Sequence, residues 1–284
     1  MNNKKRKAIM DDGMNPELVS GAKFDGLFEI PIIEAPKHIM IPKGITPFTA
    51  RNHKDIDYSD FLCFNEMDVT FAEVLIDPES YVTDFARFRG MLSPDCSLYR
   101  DAPLAVQIAN VYRNRAIGSY YQRRGLYVVP QIRWGNELTY TTKALPERIA
   151  FLGVQKHSII AVGTYGCIGG KENKYHFEAG LEAMLMELEP QVVIVYGPTP
   201  LKVFEPYLQM TRFVQFDDWT SRKKGGADLW AADLAEHTMV PVVNHNHMRL
   251  PIMLSRRCIR PILTKVSITM GNMIKTRLRR ISLT

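Results

Sequence analysis

Three carboxylates stand directly behind short apolar runs of this chain. Glu66 and Asp68 follow the run at 61–64, and Asp95 follows the run at 90–93. Acids that converge in this way hold a divalent metal or move protons. Glu66, Asp68 and Asp95 are therefore the candidate catalytic residues, and a divalent cation is the candidate cofactor. The competing reading makes Asp95 a turn cap after Pro94 and leaves the other two facing solvent. A cap is worth about 1 kcal/mol. A catalytic Asp95 would instead accept asparagine with almost no loss of stability.

A second group follows at once: Tyr99-Arg100-Asp101, then Asn110 and Tyr112-Arg113-Asn114-Arg115. Arginine presents a planar fork that matches phosphate or carboxylate, and a helix N-terminus nearby favours an anion. Tyr99, Arg100, Asn110, Arg113 and Asn114 are thus candidate ligand contacts. Arg115 interrupts an apolar helical stripe, and the expectation for it is structural: a buried charge paired with an acid. Trp134, in Arg133-Trp134-Gly135, either stacks on a ligand or plugs the top of the core.

These residues need elements to hold them. Between Gly90 and Gly135 the chain reads as strand, loop, helix, strand, a unit whose strands pair in parallel. In such sheets ligands sit outside the strands' carboxyl ends, so Asp95, Tyr99, Arg100, Asp101 and 133–135 share one rim. Asp101 is placed to N-cap the helix and Pro103 to occupy its first turn. Leu104, Ile108 and Val111 form its apolar stripe, Gln107, Asn110 and Asn114 a polar line beside it, and Gly125 ends it. Further apolar runs at 158–162, 192–196 and 212–216 alternate with helical patterns, notably 175–188. The fold class is α/β: repeated β/α units around a parallel sheet, TIM-barrel-like and degenerate rather than open and doubly wound. The domain layout is a disordered basic stretch at 1–20, an α/β core at 21–217 with an extended proline-rich arm at 21–50, a linker at 218–226 and a basic tail at 227–284.

Charge is unevenly spread over the 284 residues. Residues 1–10 carry +4 and residues 241–284 carry +9, which leaves −7 on the rest of a chain whose net charge is +6. Basic ends on an acidic body suit a polyanion, so nucleic acid is a candidate partner. Solubility alone is the equal alternative. Cys63, Cys96, Cys167 and Cys258 form no paired motif, which points to a reduced, cytoplasmic setting. No stretch approaches the ~18 apolar residues of a membrane span. GTYGCIGG at 163–170 lies between strand and helix, where phosphate loops occur, but matches neither nucleotide-binding fingerprint. Cys167 within it has no evident base to make it a nucleophile. His245 and His247 have a spacing that a metal could use on an extended strand.

The motifs SPDCSLYRDAP, YRNR, VVPQIRWG, IIAVGTYGC and VVIVYG, in this order over 60–217, resemble a domain-of-unknown-function family encoded largely in bacteriophages, plasmids and integrative elements. The resemblance implies a compact α/β domain in a bacterial host cell and supplies no reaction. Gly166 and Tyr196 are among its matching positions and join the ligand candidates. Together these features suggest an enzyme acting on a phosphate-bearing substrate, nucleotide or nucleic acid. The alternatives are a non-catalytic nucleic-acid accessory protein and a host-interaction module.

Overall fold

The computed structural model describes residues 16–224 and 232–233. The basic ends and the His245/His247 pair lie outside the described residues.

The proline-rich arm opens with a small antiparallel hairpin of β1 (Phe24–Asp25) and β2 (Ile30–Pro31). Its last portion, β3 (Ile45–Pro47), is a strand of the main sheet, at an edge where proline costs no ladder bond. Then come β4 (Phe61–Cys63), the short helices α1 (Ala72–Ile76) and α2 (Val82–Phe85), and β5 (Gly90–Leu92). The long helix α3 (Leu104–Arg123) leads to β6 (Val128–Val129) and β7 (Gln131–Ile132). The remainder is α4 (Glu137–Tyr140), β8 (Ile159–Gly163), α5 (Lys171–Leu188), β9 (Val192–Tyr196), α6 (Leu201–Phe204), β10 (Arg212–Phe216), α7 (Trp219–Lys224) and β11 (Ala232–Asp233).

Two ladders result, β3-β4-β5-β6 and β7-β8-β9-β10-β11, parallel throughout except for the antiparallel β10–β11 pair. Only Pro130 separates β6 from β7. Proline has no N–H to donate, and next to it the Gln131 N–H donates to the Ser93 hydroxyl at 2.8 Å rather than to a backbone carbonyl. The Pro130 carbonyl still accepts from Ala161 N at 2.9 Å, so the chain passes straight from one ladder into the other. Strand order therefore follows chain order. The ladders do not join β3 to β10 or β11, so the described residues form no closed barrel of hydrogen bonds.

Strand side chains alternate between two apolar layers. Leu62, Phe64, Met91 and Val128 pack against Ile117, Tyr120 and Tyr121 of α3. Ile160, Val162, Val193, Val195 and Phe213 pack against Phe177, Leu181, Met184, Leu185 and Leu188 of α5. The opposite face gathers Ile45, Phe61, Cys63, Leu92, Val129, Ile159, Ala161, Ile194, Tyr196, Val214 and Phe216 into one buried cluster, to which no helix among the described residues contributes. Both faces are dry, which is why these strands read as unbroken apolar runs.

Helix α3 differs from expectation in its polarity. Its N-cap is Pro103, not Asp101, and no side chain caps it. Leu104 and Ile108 are only partly buried, whereas Gln107, Asn114 and Arg115 are buried with Val111. Part of the polar line thus faces the sheet together with Val111, Ile117, Tyr120 and Tyr121. Helix α5 begins earlier than Tyr175, at Lys171. Helix α7 lies in the stretch expected as a linker, and its Arg222 pairs with buried Asp60 at 2.9 Å.

Burial raises the pKa of several tyrosines and so holds them protonated. Tyr140 and Tyr207 are each pushed up to about 12, and Tyr120, Tyr121 and Tyr196 go higher still. The unfolded chain releases these protons near pH 10 and the native one does not, so the native state binds more protons in between. The associated stability is complete below pH 10 and is lost as pH rises from 10 through 12 and beyond. Alkaline titration is expected to show tyrosinate absorbance appearing cooperatively with loss of helical circular dichroism. Smooth ionisation at pH 10 with the fold intact would contradict this.

Candidate functional site

A cleft of about 500 Å³ opens where β4, β5, β7 and β8 end, against the N-terminal turn of α5. Each strand sends its next residues into it: Asn65 and Glu66 after β4, Asp95 and Ser97 after β5, Arg133 and Trp134 after β7, Gly163 and Tyr165 from β8 onward. Helix α5 supplies Asn173, His176 and Phe177.

At its centre lies a charge pair. Asp95 is 2% exposed and takes both Nε and Nη2 of Arg133, the former at 2.7 Å. Asn65 Nδ2 donates to the same carboxylate at 3.0 Å. Burial works against the Arg133 charge, but the Asp95 carboxylate, aided by Asp68, more than reverses it and holds the guanidinium above the ordinary arginine value. Asp95 is therefore the clamp that aims Arg133, with both of its carboxylate oxygens engaged. Burial raises the Cys167 thiol, with Arg133 partly opposing, so at neutral pH it is not a thiolate.

Arg100 lies on the cleft rim, paired with Glu172 at 3.0 Å and with Asn173 Oδ1 at 3.2 Å. Both partners belong to the first turn of α5, and Glu172 is 70% exposed, so the ion pair is weak and displaceable. Tyr99 and Tyr165 stand on the rim, 64% and 71% exposed. Trp134 is buried and donates from Nε1 to the His176 carbonyl at 2.9 Å. A Cβ on Gly180 would lie 2.1 Å from that nitrogen, so only glycine lets α5 sit on the indole. Trp134 thus forms a wall of the cleft and plugs the core at once. The His176 ring meets Tyr140 OH at Nδ1, 2.9 Å away, which leaves its Nε2 edge as the one without a hydrogen bond among the described residues.

Of the sequence candidates, Glu66, Asp95, Tyr99, Arg100, Trp134 and Gly166 line the cleft. Glu66 is fixed by Thr49, whose N–H and hydroxyl both reach its carboxylate. Asp68 does not line it; it accepts from Ser97 N at 3.1 Å and Ser97 Oγ at 2.7 Å and shapes the loop after β5. Asn110 donates to the Ser97 carbonyl and accepts from Arg113, so both serve the same loop. Asn114 and Tyr196 are buried below: Asn114 bridges Ser93, Pro94 and Gln131, and the Tyr196 hydroxyl accepts from Trp219 N. No group of three or more His, Cys, Asp or Glu is placed to hold a metal among the described residues.

Arg115 is buried as expected, but its partners are not acids. It donates to the carbonyls of Leu152, Gln131 and Ala150 at 3.0, 2.9 and 3.1 Å, and to Asn114 Oδ1. Burial lowers it to about 9, so it stays charged at neutral pH. It ties α3 to the strand end and to the loop at 150–152.

Comparison with known proteins gives this architecture a family. A model described as a domain of unknown function (DUF4417) matches residues 22–217, from the arm to the end of β10. The chain belongs to this family. The matched span takes in the cleft and the arm, and stops before α7. Among curated proteins, the chain is similar to the Gene 1 protein of Mycobacterium phage D29, 27% identical over 175 residues, 62% of each chain. It is also similar to the Gene 1 protein of Mycobacterium phage L5, 27% identical over 159 residues, covering 55% of this chain and 66% of that one. The matched stretch thus spans less than two thirds of either relative. No solved structure matches. No helix among the described residues is long and apolar enough to cross a membrane.

Proposed function

We propose that this DUF4417 protein binds, and acts on, a phosphate-bearing substrate of nucleotide size at the carboxyl ends of its parallel strands, in the cytoplasm of a bacterial host. The observation that carries the reading is the meeting of Arg100 and Arg133 with the glycine-rich loop and the N-terminal turn of α5 in one cleft. Arginine forks and a helix N-terminus together make an anion site. Tyr99 and Tyr165 supply flat surfaces at the rim for stacking. His176, turned by Tyr140, is the group best suited to move a proton, and Glu66 is the cleft carboxylate not tied to an arginine. A TIM-barrel-like curvature goes with this reading. Among the described residues the apolar cluster on the β3-to-β10 face takes no side chain from a helix, which a sheet achieves by curling onto itself.

The test uses the full chain, with inorganic phosphate, ribose 5-phosphate and nucleoside monophosphates as probes in calorimetry. Phosphate esters are expected to bind, and Arg100→Ala to weaken them about tenfold, as loss of one charge-assisted contact does. Melting should hardly move, because the Arg100–Glu172 pair is exposed. Failure of every phosphate ester to bind would reject the reading.

A further inference from the structure

Below the Asp95–Arg133 pair lies a group of polar atoms that no described residue satisfies. Gln131 is 1% exposed, and both its Oε1 and its Nε2 lack a hydrogen-bond partner. It sits in β7, two residues before Arg133, which follows the strand, and it does not itself line the cleft but lies behind Gly163, which does. Asn65 Oδ1 is also buried and unpartnered. Its orientation is fixed, because Asp95 can only accept and so receives the Nδ2 end. Both amides crowd against Gly163, which lines the cleft. A Cβ there would meet Asn65 Nδ2 at 2.6 Å and Gln131 Nε2 at 3.5 Å. The first distance is a clash and the second an ordinary contact, so it is the Asn65 amide that needs glycine at the end of β8.

Native proteins rarely leave a buried amide unpaired, and each such group calls for an explanation. Here the unpaired set is a donor beside two acceptors, directly under a cleft that holds two arginines. We infer that these amides are the floor of a nucleobase subsite: Gln131 and Asn65 read the hydrogen-bonding edge of a base while the phosphate lies toward Arg100 and Arg133. This rests on the phosphate reading above and narrows its substrate to a nucleotide. A base edge offers a donor next to an acceptor, which is what a carboxamide pairs with in two-point contact.

The experiment compares AMP, GMP, CMP, UMP, the four nucleosides and ribose 5-phosphate on the full chain by calorimetry. One nucleotide is expected to bind at least tenfold more tightly than ribose 5-phosphate. Gln131→Leu is expected to remove about 10–100-fold of that affinity, the range for a two-point amide contact to a base, while leaving ribose 5-phosphate binding and the melting temperature unchanged or the latter raised. If Gln131→Leu lowers melting and keeps base preference, the amide is structural and the inference is overturned. Should that variant not fold, the wild-type comparison still decides. Equal binding of ribose 5-phosphate and all nucleotides overturns the base subsite and leaves the phosphate site standing. Nucleosides that bind when no phosphate ester does support the floor and sink the phosphate reading. If no probe binds, both fall.

Discussion

Asp95→Asn is expected to destabilise the protein by about 3 kcal/mol and to abolish phosphate-ester binding. Removing one partner of a buried ion pair costs about 3–5 kcal/mol, because the other charge stays desolvated without compensation. The low end applies because the Arg133 side chain is 24% exposed and recovers some hydration. Asparagine also turns an NH₂ group on either Arg133 or Asn65, both of which donate to Asp95 now. Without its clamp Arg133 loses its aim, so binding fails for a reason that is geometric rather than chemical. Urea unfolding at pH 7 measures the first effect and calorimetry the second. A loss of only about 1 kcal/mol would restore the turn-cap role. Unchanged stability with lost turnover would restore the catalytic one.

Arg115→Met is expected to cost about 4 kcal/mol and to loosen the strand end at Gln131. The side chain fills nearly the same volume, so the loss is polar: carbonyls of Ala150 and Leu152 are left without their arginine donors in a dry interior. A buried group left unsatisfied costs about 1–3 kcal/mol each. Arg115→Lys is expected to recover little, since one ammonium cannot span three carbonyls set out for a planar fork. Chemical unfolding of both variants is the check. If the lysine form matches the parent, the charge matters and the fork does not.

The sheet was legible in the sequence because strands dry on both faces leave continuous apolar runs, and the runs at 61–64, 90–93, 158–162, 192–196 and 212–216 coincide with β4, β5, β8, β9 and β10 to within a residue. The location of the cleft followed from parallel pairing alone. What each polar residue does there was not legible, because it depends on which neighbour the fold delivers. Arg133 belonged to the expected rim, yet its partnership with Asp95 spans 38 positions of sequence. Asp68 and Asn110 look equally available on paper and both go to Ser97. Helix α3 is only partly legible because its buried face mixes Gln107, Asn114 and Arg115 with Val111, Ile117 and Tyr121, whereas amphipathic reasoning assumes an apolar one. His176 carried no signal beyond being a histidine in the first turns of a helix. Gln131 did carry one: a lone amide inside an otherwise apolar strand, two residues from an arginine.

The agreement between strand order and chain order has a consequence for synthesis. A ribosome releases this chain from the N-terminus, and from β4 to β10 each strand except β7, which opens the second ladder, finds its partner already made, one crossover earlier. The sheet can grow by addition at a single advancing edge, with no long wait for a distant segment. Among the described residues the late closures are α7 reaching back to Asp60 and the antiparallel β11 covering the last edge. A nascent chain stopped after Phe216 already holds every strand end and helix turn that lines the cleft.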